Sequence, residues 1–330
     1  MNLEEVDRYY HKAMETFKVE LDKIKISDIR TLKAVVSTYD SVLGQLGSWF
    51  ESIDTYKNNK QDNELAILTI TIKHERDGST CKITDIALLR DNLVLLADYG
   101  NSKLRIFDTG NSTLVSNAKL QYTPWQMSVT EHGEAYVAYY GQPKILHLKS
   151  PATDLTTFRE INVNGQCFAV ECFNQTLKVQ CVSPAKSIEV DEDGKQVRVI
   201  NNDLSKETTE NGEQFVTNPL WSTQDPATGS MYVSCISTHS ITEIKSDGNV
   251  ELFLKADKLN TPYGLCMDID GSIIVCSYSS KDVFRVKRNG DIQSVLPQPL
   301  DFNPCTVAFD KRTRKLYVGG QSDTIYVFQI

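Results

Sequence analysis

Long apolar runs are missing from this chain. Nowhere in its 330 residues does a stretch approach the ~20 residues that a membrane-spanning helix needs. A signal-peptide pattern is missing too, because the start Met1-Asn2-Leu3-Glu4-Glu5 is acidic and leads into no apolar core. Neither membrane insertion nor secretion is expected, and a cytoplasmic location is. None of the eight cysteines stands in a CxxC pair, which excludes zinc-finger and thioredoxin-like spacings. Cys81, Cys167, Cys172, Cys181, Cys235, Cys266, Cys276 and Cys305 are scattered singly in apolar runs and read as reduced core thiols. No GxSxG elbow and no P-loop occurs. Basic charge is not in excess: 35 Lys and Arg face 43 Asp and Glu, for a net of −8. That balance argues against a duplex nucleic-acid binder, whose affinity rests on clustered cations.

What is present is a globular composition, 40% apolar and 24% charged. The first 57 residues contain no proline and repeat their apolar positions at helical intervals. Leu3, Val6, Tyr10, Ala13 and Phe17 form one stripe. Leu32, Val36, Tyr39, Leu43, Leu46, Phe50 and Ile53 form another. Alternating steps of three and four predict a helical segment with coiled-coil spacing over residues 1–57. Such a stripe is buried either against a second copy, giving a homo-oligomer, or in cis. Residues 58–63 are polar and read as a linker.

After the linker the period changes to two and the chain repeats itself. Six short apolar runs are centred on Leu96, Val137, Val179, Val233, Val275 and Val318, at steps of 41, 42, 54, 42 and 43. The one long step coincides with a polar insertion at residues 203–214. Further short runs precede and follow each centre, giving about four strands per unit joined by Gly, Asn, Asp and Ser. That is the pattern of a β-propeller blade. The last unit stops after three strands, while an orphan strand at 64–73 precedes the first. The expected fold is therefore an all-β, six-bladed propeller over 64–330, with 64–73 completing the last blade so that no sheet edge stays open.

Two stretches carry a resemblance. Ala97-Asp98-Tyr99-Gly100-Asn101-Ser102-Lys103-Leu104-Arg105-Ile106-Phe107-Asp108 resembles the core repeat of the NHL family of propellers. The stretch from Thr261-Pro262-Tyr263-Gly264 to Val275 resembles that repeat's opening. A helical segment joined to such a propeller is the order seen in tripartite-motif (TRIM) proteins of the NHL class. The resemblance implies the substrate-recognition part of a ubiquitin ligase. It does not imply ligase activity in cis, because residues 1–80 hold no cysteine and only two histidines, His11 and His74, so RING and B-box modules are absent. A ligase fragment whose RING lies outside this chain is the related alternative.

The residues fit catalytic propellers poorly. A calcium-dependent lactonase type needs Glu, Asn and Asp converging on the central channel, and the first strands offer Asp85, Gln126 and Asp268 at unmatched repeat positions. A zinc-dependent type needs converging histidines, and His132, His147 and His239 occupy unlike positions. The expectation is no enzyme, no cofactor and no metal. Surface recognition is left. The loops that follow the second strand of each blade share one face with the blade starts. There they carry Tyr99, Asn101, Lys103, Tyr140, Lys144, Tyr278 and Lys281, taken as the binding residues, with Tyr122, Trp125, Trp221 and Tyr263 at the blade starts. The bland alternative for the aromatic residues is packing between blades, and for the lysines plain solvation. Aromatic residues beside lysines suit a protein partner or single-stranded RNA. Residues 58–330 carry 27 Lys and Arg against 33 Asp and Glu, which favours the protein.

Overall fold

A computed structural model describes residues 67–330, except 91, 157, 174, 175, 184, 202, 215, 217 and 218. The chain divides into Met1–Asn63 and Glu64–Ile330. The expected helical segment and linker lie outside the described residues, all of which belong to the second unit.

The described chain is all β apart from one 3-10 turn at Leu204–Lys206. A lone strand β1 (Ile67–Thr71) precedes a sheet of β2 (Ile83–Leu88), β3 (Leu93–Asp98), β4 (Lys103–Asp108) and β5 (Thr113–Lys119). A seven-stranded sheet comes next. It holds β6 (Pro124–Val129), β7 (Ala135–Tyr139), β8 (Gln142–Leu148), β9 (Phe158–Phe173), β10 (Thr176–Ser183), β11 (Ala185–Val190) and β12 (Gln196–Asn201). Two four-stranded sheets lie beyond it in sequence. One is β13 (Pro219–Gln224), β14 (Met231–Cys235), β15 (Ser240–Ile244) and β16 (Val250–Lys255); the other is β17 (Pro262–Met267), β18 (Ile273–Ser277), β19 (Asp282–Val286) and β20 (Ile292–Ser294). Strands β21 (Pro304–Asp310), β22 (Lys315–Gly320) and β23 (Thr324–Gln329) make the last sheet together with β1.

The six repeat centres read from the sequence fall on β3, β7, β10, β14, β18 and β22. Each follows an inner strand, and strands β2, β6, β9, β13, β17 and β21 touch in that order and back to β2, so they ring a common axis. This arrangement is a β-propeller.

Burial explains why these segments are strands. Second strands such as β7 and β14 are buried at every residue, because sheets pack on both of their faces. The outer strand β5 alternates exposed and half-buried, as a sheet with one wet side does. Apolar clusters fill the spaces between neighbouring sheets: Leu95, Ala97, Leu104 and Ile106 meet Val137, Tyr139, Leu146 and Leu148.

Strand β1 pairs antiparallel with β23, from Ile67 opposite Phe328 to Thr71 opposite Thr324. Ile70 and Ile72 are fully buried in the cluster between the last sheet and the first. Each burial is worth about 1.5–3 kcal/mol. Lys73 adds an ion pair to Asp323 at 2.9 Å.

One strand serves two units. Residues 158–173 form the single strand β9, which pairs with β8 through its first half and β10 through its second. Gly165 sits at the junction with φ +134, a backbone state open to glycine, and a Cβ there would lie 2.9 Å from Cys181 Sγ.

Candidate ligand-binding face

Three blade starts share a local pattern, a proline at the first residue of the inner strand with an aromatic side chain just after it. They are Pro124-Trp125, Pro219-Leu220-Trp221 and Pro262-Tyr263. Proline is tolerated there because the first residue of a strand need not donate to the ladder. Tyr99, Tyr140 and Tyr278 each stand one residue beyond a second strand. Adjacent strands run antiparallel, so these ends and those starts emerge on the same face.

There the rings join into one chain. Tyr99 lies 5.4 Å from Tyr140 and 5.5 Å from Trp125 between ring centroids, and Tyr140 lies 4.7 Å from Trp125. Trp125 meets Trp221 at 4.6 Å, Trp221 stacks on Tyr263 at 4.4 Å, and Tyr263 stacks on Tyr278 at 4.6 Å. Phe168 packs against Trp125 and Tyr140 at 6.3 and 5.0 Å. These distances are those of favourable edge and offset contacts.

The chain has a floor and a rim. Trp125, Trp221 and Phe168 are buried, at 4%, 1% and 8% exposure. Hydrogen bonds across the axis fix the floor: the Trp125 indole N–H donates to the Leu220 carbonyl at 3.1 Å, and that of Trp221 to the Thr84 carbonyl at 3.0 Å. Thr84 Oγ1 donates back to the Trp125 carbonyl at 2.8 Å. Tyr99, Tyr263 and Tyr278 are half-buried above this floor, and Tyr140 is exposed at 38%. The Tyr278 hydroxyl donates to Gln321 Oε1 at 3.2 Å.

The lysines predicted on this face are engaged within the chain. Lys103 Nζ pairs with Asp77 at 2.6 Å, and Lys144 Nζ pairs with Glu160 at 2.5 Å while standing over the Tyr122 ring. Lys281 Nζ donates to the Asp301 carbonyl at 3.5 Å. Lys82, not among the expected residues, sits 5.0 Å above the Tyr99 ring.

Asn101 is buried and positions the loop. Its amide donates to Asp98 at 2.9 Å and its carbonyl oxygen accepts from the Ser79 N–H at 3.2 Å. Asp98 also receives two hydrogen bonds from the fully buried Arg105, whose guanidinium reaches Asp77 at 2.7 Å. The Asp–Asn–Arg motif is thus a buried staple under Tyr99. Burial alone would raise the Asp77 carboxyl, but hydrogen bonds from Lys103, the His74 backbone and Arg105 hold it at about 2.

Two carboxylates lie on the inner strands. Asp85 is buried. It accepts from the Met127 N–H at 2.6 Å, the Ile86 N–H at 2.9 Å and Thr306 Oγ1 at 3.0 Å. Burial outweighs those bonds and lifts its pKa to about 7. Glu171 accepts from Gln126 Nε2 at 2.8 Å; burial, with the charge of Asp85 second, lifts it to about 8. The sequence pattern marks Asp85 and Gln126 as channel candidates but misses Glu171 and Phe168, which lie in the unremarkable apolar run of β9. Asp268, the third candidate, is tied to Arg285 at 2.6 Å. Among the described residues no three His, Cys, Asp or Glu side chains gather into a group that could hold a metal. Nor is any helix among them long and apolar enough to cross a membrane.

No protein-family model matches the chain, and no curated protein matches it in sequence. Solved structures do. A protein of unknown function from Bacteroides thetaiotaomicron is similar at 15% identity and TM-score 0.65, over 81% of this chain and 76% of that one. Virginiamycin B lyase from Staphylococcus aureus, with quinupristin, is similar at 11% identity and TM-score 0.60, over 81% of this chain and all of that one. YCF48 bound to D1 peptide is similar at 11% identity and TM-score 0.56, over 81% and 98%. At such identities the likeness establishes the propeller fold and nothing finer. It also corrects one expectation. The sequence motifs imply no enzyme, yet a lyase shares this architecture, so missing nucleophile and P-loop motifs do not exclude catalysis. The TRIM-NHL resemblance finds no counterpart in these comparisons.

Proposed function

We propose that this propeller is a recognition module whose aromatic face binds an extended segment of a protein partner. The observation that carries this reading is the unbroken chain of seven rings, with its floor locked and its tyrosine rim open. Rigid aromatic side chains give contact area at little entropic cost, which is why they serve as anchors. Lys103 and Lys144 are paired with carboxylates, which leaves fewer free cations for a phosphate backbone and favours a polypeptide over RNA. YCF48 bound to D1 peptide offers a peptide-binding precedent on a similar architecture.

The proposal extends to the whole chain. Six blades are supported by the six repeat centres and the ring of inner strands; residues 64–73 close the last blade, and the stripe in 1–57 is a stem that self-associates. The assembly then resembles the substrate-recognition part of a TRIM-NHL ligase, working in the cytoplasm, where its eight cysteine thiols stay reduced.

The test is a selection from a random dodecapeptide library on the full chain. Binding of the selected peptides and of a uridine dodecamer is then compared between ~50 and ~200 mM salt. Peptides that bind with little salt dependence support the reading. Tight, steeply salt-dependent oligonucleotide binding with no selected peptide replaces it with the RNA alternative.

A further inference from the structure

The aromatic face discriminates among polypeptide conformations. Its strands arrive end-on, and the backbone N–H groups at its turns are already spent. That of Tyr99 donates to the Lys82 carbonyl at 2.9 Å, that of Tyr140 to the Thr123 carbonyl at 2.9 Å, that of Tyr278 to the Thr261 carbonyl at 3.0 Å and that of Gln321 to the Asn303 carbonyl at 3.2 Å. A partner that binds as an added strand needs an edge of unpaired N–H and C=O groups. These turns have no N–H left for one.

Hydroxyl donors are what the rim does offer. Those of Tyr99, Tyr140 and Tyr263 have no hydrogen-bond partner among the described residues, whereas Tyr278 spends its own on Gln321. A helical partner cannot answer them along its length, because its carbonyls are bonded within the helix. A polyproline II helix leaves every carbonyl free, and proline brings no N–H that needs an acceptor. Its rings pack on aromatic side chains, and its fixed φ lowers the entropy lost on docking.

Charge adds a second requirement. Lys82 stands 5.0 Å from the centre of the Tyr99 ring, at one end of the chain of rings. Unlike Lys103 and Lys144, it has no carboxylate partner among the described residues. The other end of the chain is Tyr278, whose hydroxyl bonds Gln321, and Gln321 pairs with Lys82 in an isolated β-bridge. The rings thus curl back on one cation. A half-buried ammonium that no carboxylate of this chain pairs with is complementary to an acidic group on the partner.

We propose that the segment taken by the aromatic face is a proline-rich stretch in polyproline II form carrying an acidic residue, its carbonyls accepting from the rim tyrosines and its carboxylate meeting Lys82. This rests on the reading of the face as a polypeptide-binding surface and names the class of polypeptide. The test uses the full chain and three labelled, amidated peptides read by fluorescence anisotropy: a proline run with one Glu, the same run with Lys in place of Glu, and a Gly-Ser repeat with one Glu. The proline–Glu peptide should bind at least about tenfold tighter than the Gly-Ser peptide and about two- to fivefold tighter than the proline–Lys peptide. Lys82→Gln should abolish the second difference and keep the first. Tyr140→Phe, which retains the ring and removes only the hydroxyl, should weaken both proline peptides by about two- to tenfold. Equal binding of the proline and Gly-Ser peptides, a Glu preference that survives Lys82→Gln, or unchanged binding by Tyr140→Phe overturns the proposal. Library-selected peptides without proline that lose affinity in Tyr140→Ala overturn it while leaving the face as the recognition surface. Selected peptides that bind Tyr140→Ala/Tyr278→Ala as tightly as the parent overturn both.

Discussion

The two faces of the propeller are made from the same strands and end differently. On the aromatic face the chain turns through Tyr99, Tyr140 and Tyr278, and the rings pack on one another. On the opposite face several turns close on themselves. Asp225 accepts from the Ala227 N–H and Thr228 Oγ1, Asp310 from the Arg312 N–H and Thr313 Oγ1, and Asp268 from the Ile269 N–H. Such Asp-headed turns satisfy their own backbone and present little for a partner to bind. Two clefts interrupt this pattern, one beside His147 and one between Leu88, Asn92 and Asp310. The difference teaches where to look on a repetitive fold: where turn chemistry is replaced by side chains that a turn does not need.

The largest expected effects strike what the aromatic face rests on. Trp221→Ala removes a side chain buried to 1% exposure and should cost about 3–5 kcal/mol of folding stability in urea titration. Arg105→Met strands the buried Asp98 without its cation, while Asp77 keeps Lys103, and should cost a similar ~3–5 kcal/mol. A loss below ~1 kcal/mol in either case means the floor or its staple is not structural.

The axis should respond to pH. Asp85 and Glu171 have folded pKa values of about 7 and about 8, above their ordinary values. Below the ordinary carboxylate range both states are protonated. As pH rises from there the folded chain keeps protons that the unfolded chain has lost, so stability declines through pH 7 to 8. The melting temperature should therefore be higher at pH 5.5 than at pH 8.5, and the slope should flatten in Asp85→Asn and Glu171→Gln. An unchanged slope in both variants removes these groups as its source.

Smaller effects separate rim from floor. Tyr140→Ala should lower affinity for a selected peptide by about 1–3 kcal/mol while changing folding stability by less than ~1 kcal/mol. Smallest of all, Ile269→Ser, at a turn of the opposite face where the side chain is 55% exposed, should leave stability within ~0.5 kcal/mol and peptide affinity unchanged. A measurable affinity loss there would break the distinction between the faces.

The repeat was legible because burial imposes it. Every second strand is sandwiched between sheets, so Val94–Asp98 and its five counterparts had to be apolar runs at near-constant spacing. The end-to-end pairing of β1 with β23 followed from an orphan strand and an unfinished unit. The join of two units through β9 was not legible, since Gly165 reads as any turn glycine. At the site, Tyr99, Tyr140 and Tyr278 could be named from their place after the second strand. Their linkage through Trp125 and Trp221 could not, because sequence sets packing and binding as rivals and these rings pack in order to form a floor. The motif residue Asn101 looks like a surface contact in sequence, yet its amide is spent on Asp98 and on the backbone of Ser79. Glu171 gives no sign of itself because an acid within the apolar run of β9 carries no spacing signal.

The most direct test of the aromatic face is the affinity of a peptide selected on the parent chain for the double variant Tyr140→Ala/Tyr278→Ala. Fluorescence anisotropy should show a loss of at least tenfold, the equivalent of about 1.4 kcal/mol, with cooperative unfolding retained although the melting temperature falls as the ring contacts to Trp125, Phe168 and Tyr263 are lost. Equal affinity in parent and variant would contradict the account and move recognition away from this face.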